Sequence, residues 1–116
     1  MVKKYENIEH VMIPEMRGGK GTVERISSVE AGEYDSGAKV VARMILRPGV
    51  SIGKHAHVGE EEIITILSGT AKYMDGEQEY TLNAKDVAVC RNGEEHSIEN
   101  ASDTENLEFF ALVITV

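Results

Sequence analysis

Cysteine occurs once in this chain, at Cys90, so no intramolecular disulfide can form and a reducing, cytoplasmic setting is expected. Basic charge is also scarce. Twelve lysines and arginines stand against 20 acidic residues, a formal net charge of −8. The Lys3-Lys4 pair and the Arg17/Lys20 cluster are too short to neutralise a run of phosphates. Nucleic acid and anionic membrane are therefore excluded as expected partners. No apolar run is long enough to span a bilayer. The segment Met1-Val2-Lys3-Lys4-Tyr5-Glu6-Asn7 lacks the apolar stretch of a secretory signal. There is no internal repeat, no low-complexity tract and no convincing helical period.

What the chain does contain is short β-prone runs divided by turn signals. At 116 residues it has room for one hydrophobic core. Residues 1–20, with Pro14 and Gly18-Gly19, read as an irregular arm of the domain whose barrel spans 21–116. Thr22 to Ile26 alternates at period two, and Glu30 to Gly37 reads as a loop. Lys39 to Leu46 is a strand stopped by Pro48-Gly49. Glu62 to Leu67 is apolar on both parities, as in a strand covered on both faces.

Gly69-Thr70 reverses the chain into Ala71 to Met74. Asp75-Gly76 signals a hairpin whose return strand is Gln78 to Leu82. Asp86 to Cys90 is a strand, Asn92-Gly93 a turn, His96 to Glu99 a strand, and Leu107 to Val116 a long closing strand. Many short strands with regular turns predict an all-β sandwich or barrel.

Three of the four histidines fall into one pattern with a carboxylate. His55 and His57, two apart, share one face of a strand. Glu62 reaches the same point only if the strand breaks at Val58-Gly59. His96 arrives from a distant strand. Glu61 is the rival for the acidic position. Three imidazoles and one carboxylate suit a divalent first-row metal and leave two octahedral positions open. With no thiolate ligand, Mn or Fe is expected, and Ni or Zn is admissible. His10 reads as a solvent-exposed residue without a partner. Cys90 reads as a small buried residue, Met44 and Met74 as core, and Asn100 as a loop residue.

These residues resemble a known family. Gly49-x5-His55-x-His57-x4-Glu62-x6-Gly69 is similar to the first cupin motif at every defined position. Gly93, His96 and Asn100 meet the second motif, with Lys85 where its first glycine belongs and Arg91 where its proline belongs. Residues 16–116 look like small bacterial oxalate-decarboxylase-like cupins. The resemblance implies a double-stranded β-helix (jelly-roll) barrel, a metal inside it, a small-molecule ligand in the barrel, and commonly a homodimer.

It also implies a metalloenzyme acting on a small carboxylic or keto acid, of oxalate-decarboxylase, oxygenase or isomerase type. A non-catalytic metal- or ligand-binding module is the alternative, and a structural dimer with a vestigial site a third. The larger two-domain oxalate decarboxylases carry an arginine three residues before the first ligand histidine, where this chain has Ile52. Arg43 and Arg91 are the candidate anion holders, and Tyr73 a candidate phenolic donor in the substrate site.

Overall fold

Ten strands, assembled into two antiparallel sheets, make up the computed structural model, which describes all 116 residues. They are β1 (His10–Pro14), β2 (Thr22–Ser27), β3 (Ala38–Leu46), β4 (Ser51–Ala56) and β5 (Glu60–Ser68), followed by β6 (Ala71–Asp75), β7 (Gln78–Leu82), β8 (Val87–Cys90), β9 (Glu95–Asn100) and β10 (Leu107–Thr115). One sheet runs β1-β2-β3-β10-β5-β8 and the other β4-β9-β6-β7. The expected jelly-roll barrel is the observed fold. No helix is long and apolar enough to cross a membrane.

Period-two alternation decides which side chains enter the barrel. On β10, Leu107, Phe109, Ala111 and Val113 are buried, while the residues between them face outward. Ala42, Met44 and Leu46 of β3 and Ile64 and Ile66 of β5 join them in the core, and Val23 of β2 closes one flank. The outward residues of β5 are less covered than both-parity hydrophobicity predicts. Leu67 is 42% exposed and Ile63 only half-buried, because within one chain nothing lies over that face.

The first twenty residues differ from the irregular arm expected of them. His10–Pro14 forms an edge strand that pairs with β2, from His10 opposite Ile26 to Pro14 opposite Thr22. His10 is exposed but not alone, since its Nδ1 lies 2.6 Å from the Glu24 carboxylate. The following turn at Met16–Gly18 folds back onto β4. A Cβ at Gly53 would collide with the Arg17 carbonyl, and one at Gly19 with the Ser51 carbonyl. Both positions need glycine for this close approach. The consequence is that Met16 and Arg17 overhang the barrel interior.

Two turns show how local chemistry sets register. The β6–β7 hairpin pairs Asp75 with Gln78, so its two-residue loop is Gly76-Glu77, with Gly76 at φ +60°. Glycine at the first central position is what a type II′ turn requires. Lys85, at the site of a motif glycine, keeps the left-handed conformation at φ +78°. The backbone shape survives the loss of glycine, at a cost of about 1–2 kcal/mol. Asn100 acts as a staple: its side-chain NH2 donates to the carbonyls of Leu46 and Glu105, and its Oδ1 accepts from Ser102 N–H.

Cys90 is buried at the inner end of β8. Burial above all, with the negative charges of Glu62, Glu94 and Asp75, pushes its thiol up to about 11. The unfolded chain would ionise this thiol near the ordinary value while the folded chain keeps it protonated. Stability therefore declines as pH rises through that interval, and the native thiol is a poor nucleophile at neutral pH. Ellman's reagent at pH 8 is expected to find no reactive thiol in the native protein and one equivalent in guanidinium. Rapid native labelling would contradict this placement.

Candidate metal centre

His55 lies on β4, directly opposite His96 on β9. A register shift between Ile52 and His55, at Gly53-Lys54, bulges β4 and turns the His55 ring inward. His57 follows the end of β4. The chain then breaks at Gly59, whose φ is +75°, and Glu62 enters on β5 of the other sheet. The turn is held across the barrel end: Gly93 N–H donates to the His57 carbonyl, and Gly59 N–H to the Asn92 side chain. One tight turn thus lets residues five apart converge from two sheets.

The four side chains form one cluster that could hold a metal ion. His57 and His96 are almost fully buried, and the Glu62 side chain is 12% exposed. The Nε2 atoms of His57 and His96 are 3.1 Å apart, as are those of His96 and His55. Glu62 Oε1 is 3.0 Å from Nε2 of both His57 and His96. Ligands at right angles about 2.1–2.2 Å from one ion are about 3.0–3.1 Å apart, whereas tetrahedral ligands would be about 3.3 Å apart or more. The observed spacings match an octahedral edge. Glu61 points to the other face of β5, opposite Ile114, and has no place in the cluster.

The second ring nitrogens explain why the cluster suits a cation. His55 Nδ1 is 2.7 Å from the Gly53 carbonyl, which can only accept, so Nδ1 carries the proton and Nε2 a lone pair. His57 Nδ1 is 2.6 Å from Glu60, whose carboxyl Lys39 and His57 hold below the usual carboxylate range. With Nδ1–H given to Glu60, the neutral ring offers its Nε2 lone pair toward the Glu62 carboxylate. Lone pairs at 3 Å repel one another unless positive charge stands between them. The residues present fit a divalent metal.

The remaining charges support this arrangement. Burial raises the Glu62 carboxyl, but its contacts with the His96 and His57 imidazoles outweigh that and hold the group below its ordinary value. Burial above all holds the His55 ring below the usual imidazole value, against the pull of the Gly53 carbonyl. A neutral imidazole beside an ionised carboxylate is the state that metal ligation needs.

Tyr73 does not line the main cavity. It stands behind His96, its hydroxyl 2.8 Å from Nδ1. Burial, with added negative charge nearby, raises its phenol above the ordinary tyrosine value, so it remains protonated. By accepting from Nδ1–H it would leave Nε2 free as a ligand. Replacing the partner of a ligand histidine typically weakens metal binding about 10–100-fold. Tyr73→Phe is expected to lose affinity in that range in a competitive chelator titration, with an unchanged fold. Wild-type affinity in that variant would mean that Tyr73 does not orient His96.

The cluster opens on a cavity of about 230 Å³. Met44, Ile52, Ile64, Ile98, Phe109 and Val113 supply apolar wall, and Arg17, Arg25 and Lys39 supply positive charge. Neither expected anion holder reaches it. Arg43 faces outward on β3, bonded to Glu108 at 2.8 Å and lying over the Tyr5 ring. Arg91 sits in the exposed turn after β8, its backbone N–H donating to Glu94. Arg25 was legible in principle, because alternation places it on the same face as core residue Val23. Arg17 was not, since its position depends on the turn clasped to β4.

The Cupin domain family matches residues 42–115, well over half of the chain. The chain belongs to the cupin family. This cupin is 41% identical over 114 residues to the oxalate-binding protein of Thermotoga maritima, covering 98% of this chain and 93% of that protein. A crystal structure from Thermotoga maritima, described as a predicted oxalate decarboxylase, superimposes with a TM-score of 0.92 at 40% identity over 100% of both chains. A sugar phosphate isomerase of the cupin superfamily from Silicibacter pomeroyi shares the fold, with a TM-score of 0.78 at 18% identity over 100% of this chain and 76% of that one.

Proposed function

We propose that this cupin binds one divalent transition metal through His55, His57, Glu62 and His96 and uses it to capture a small carboxylate such as oxalate. The observation that carries this reading is the convergence of three imidazole nitrogens and one carboxylate oxygen, at octahedral spacing, on the wall of a small cationic cavity. That spacing favours Mn(II) or Fe(II), with Ni(II) admissible, over tetrahedral Zn(II). When bound, the metal supplies two further coordination positions for carboxylate oxygens. Drug-sized ligands need cavities of roughly 300–1,000 Å³, so 230 Å³ suits a molecule of a few heavy atoms. The name of the Thermotoga oxalate-binding protein agrees with this ligand class.

Binding is favoured over decarboxylation because the cavity offers no unengaged acid. Glu60 is committed to Lys39 and His57, and Glu62 to the histidine cluster. Cleaving oxalate to formate and carbon dioxide requires a proton donor at the reacting carbon. A metalloenzyme acting on a small carboxylic or keto acid is the second reading, supported by the open coordination positions. Calorimetric titration of oxalate into Mn-loaded protein, with formate assayed in parallel, separates the two. Saturable binding without formate is the expected result. Formate release would establish the enzyme, and no binding would defeat both readings for this ligand.

The homodimer belongs to the same proposal. The outer face of the larger sheet carries Leu67, Val87 and Val89, which are 42%, 57% and 43% exposed, beside half-buried Ile63, Phe110 and Leu112. A second copy would cover this face. Sedimentation equilibrium is expected to give twice the chain mass for wild type and a shift toward monomer for Val89→Asp. A monomeric wild type would remove the dimer. The single buried thiol fits a cytoplasmic setting.

A further inference from the structure

The cavity wall carries, beside Met44, an arginine with no partner. Arg25 lies on β2 opposite Met44 of β3, and both side chains line the cavity. Its Nε is buried and makes no hydrogen bond. No carboxylate pairs with it, in contrast to Arg43, which Glu108 neutralises. A buried guanidinium N–H without an acceptor is costly, so its acceptor is to be sought in what enters the cavity, water or ligand. Lys39, exposed like Arg17, is already engaged by Glu60 at 2.9 Å. Arg17 is exposed at the rim.

We propose that Arg25 is the counter-charge that holds the outward oxygens of a dicarboxylate whose other oxygens face the histidine cluster, with Arg17 closing the rim. The inference rests on the metal-carboxylate reading above and deepens it by naming what selects a dianion over a monoanion. Three cationic side chains and two carboxylates line the cavity, so its local charge opposes the −8 of the whole chain. A guanidinium presents parallel N–H donors that match a carboxylate edge, which a lysine ammonium cannot do. The clamp comes from β2, in another sheet from β4, where the position three residues before His55 is the apolar Ile52.

The test is calorimetric titration of oxalate and of acetate into Mn-loaded wild type, Arg25→Met, Arg25→Lys and Arg43→Met. Metal content and thermal unfolding are measured on each protein. Arg25→Met is expected to weaken oxalate binding about 10–100-fold, the range of one lost charge-assisted hydrogen bond, while holding the same metal. Acetate affinity should hardly change, because acetate has no second carboxylate for Arg25 to hold. Arg25→Lys should recover part of the loss, and Arg43→Met should behave as wild type.

Undiminished oxalate binding in Arg25→Met would overturn the clamp while leaving the carboxylate reading intact. An equal loss for acetate and oxalate would also overturn it, since that would be a general field effect. If loaded wild type binds neither acid, the carboxylate reading falls and the clamp with it. Should Arg25→Met fail to fold, Arg25→Gln, which removes the charge and withdraws the donor on a shorter side chain, carries the same comparison.

Discussion

A His57→Ala variant is expected to lose its metal and keep its barrel. In the proposed site His57 supplies one ligand nitrogen and touches Glu60, Glu62 and His96, so its removal would open the coordination sphere at a buried point. Replacing the partner of a ligand already costs about 10–100-fold in affinity, and losing the ligand itself should cost more. Elemental analysis should find close to one Mn or Fe per wild-type chain and almost none in the variant. Far-UV circular dichroism should be unchanged, because His57 lies beyond the end of β4 and makes no ladder pair.

Thermal unfolding gives a second reading of the same variant. Metal that binds only the folded state raises stability by mass action, so wild type should melt higher with Mn than with chelator. The variant should show no such difference, and the two proteins should melt closer together in chelator. Full metal stoichiometry in His57→Ala would refute the ligand set.

Phe109→Ala should do the opposite, losing stability while retaining metal. Phe109 is 1% exposed on the central strand β10, opposite Met44 on one side and Ile66 on the other. Truncating a buried phenylalanine removes its transfer energy and leaves a cavity, about 3–5 kcal/mol in total. For a domain of this size that corresponds to a fall of about 10–20 °C in melting temperature. The ligands sit on β4, its following turn, β5 and β9, so metal content of the folded variant should stay near one per chain. A shift of only a few degrees would mean that the barrel collapses around the space left behind.

The site and the fold were not equally legible. The ligand spacing could be read because covalent connectivity limits what a strand can do. Residues two apart share a face, and a glycine after His57 allows the break that brings Glu62 round. Asp75-Gly76 marked a hairpin end and Asn92-Gly93 a turn between sheets for the same local reason. Pro14 and Gly18-Gly19 misled, since proline is tolerated on an edge strand and β1 is one. The both-parity hydrophobicity of Ile63 to Leu67 overstated coverage within one chain.

Arg43, Arg91 and Tyr73 show where sequence reasoning stops. Arg43 stands on the same strand as cavity residue Met44, and a single step of parity sends it outward to Glu108. Arg91 is next to the second motif in sequence but lies in an exposed turn. Tyr73 is close to the site and acts on it from behind, through His96.

From the sequence by itself came the all-β class, the turn positions, the His55, His57, Glu62 and His96 set, and the acidic net charge. Each of these rests on residue type and short spacing, which the chain carries wherever it goes. Only the tertiary structure decided which groups stand behind the imidazoles (Gly53, Glu60 and Tyr73), the spacing of the clustered nitrogens and oxygen, and the cations that face the cavity. Those depend on which strands become neighbours across two sheets. That pairing is set by the burial of the whole core and cannot be read from any one segment.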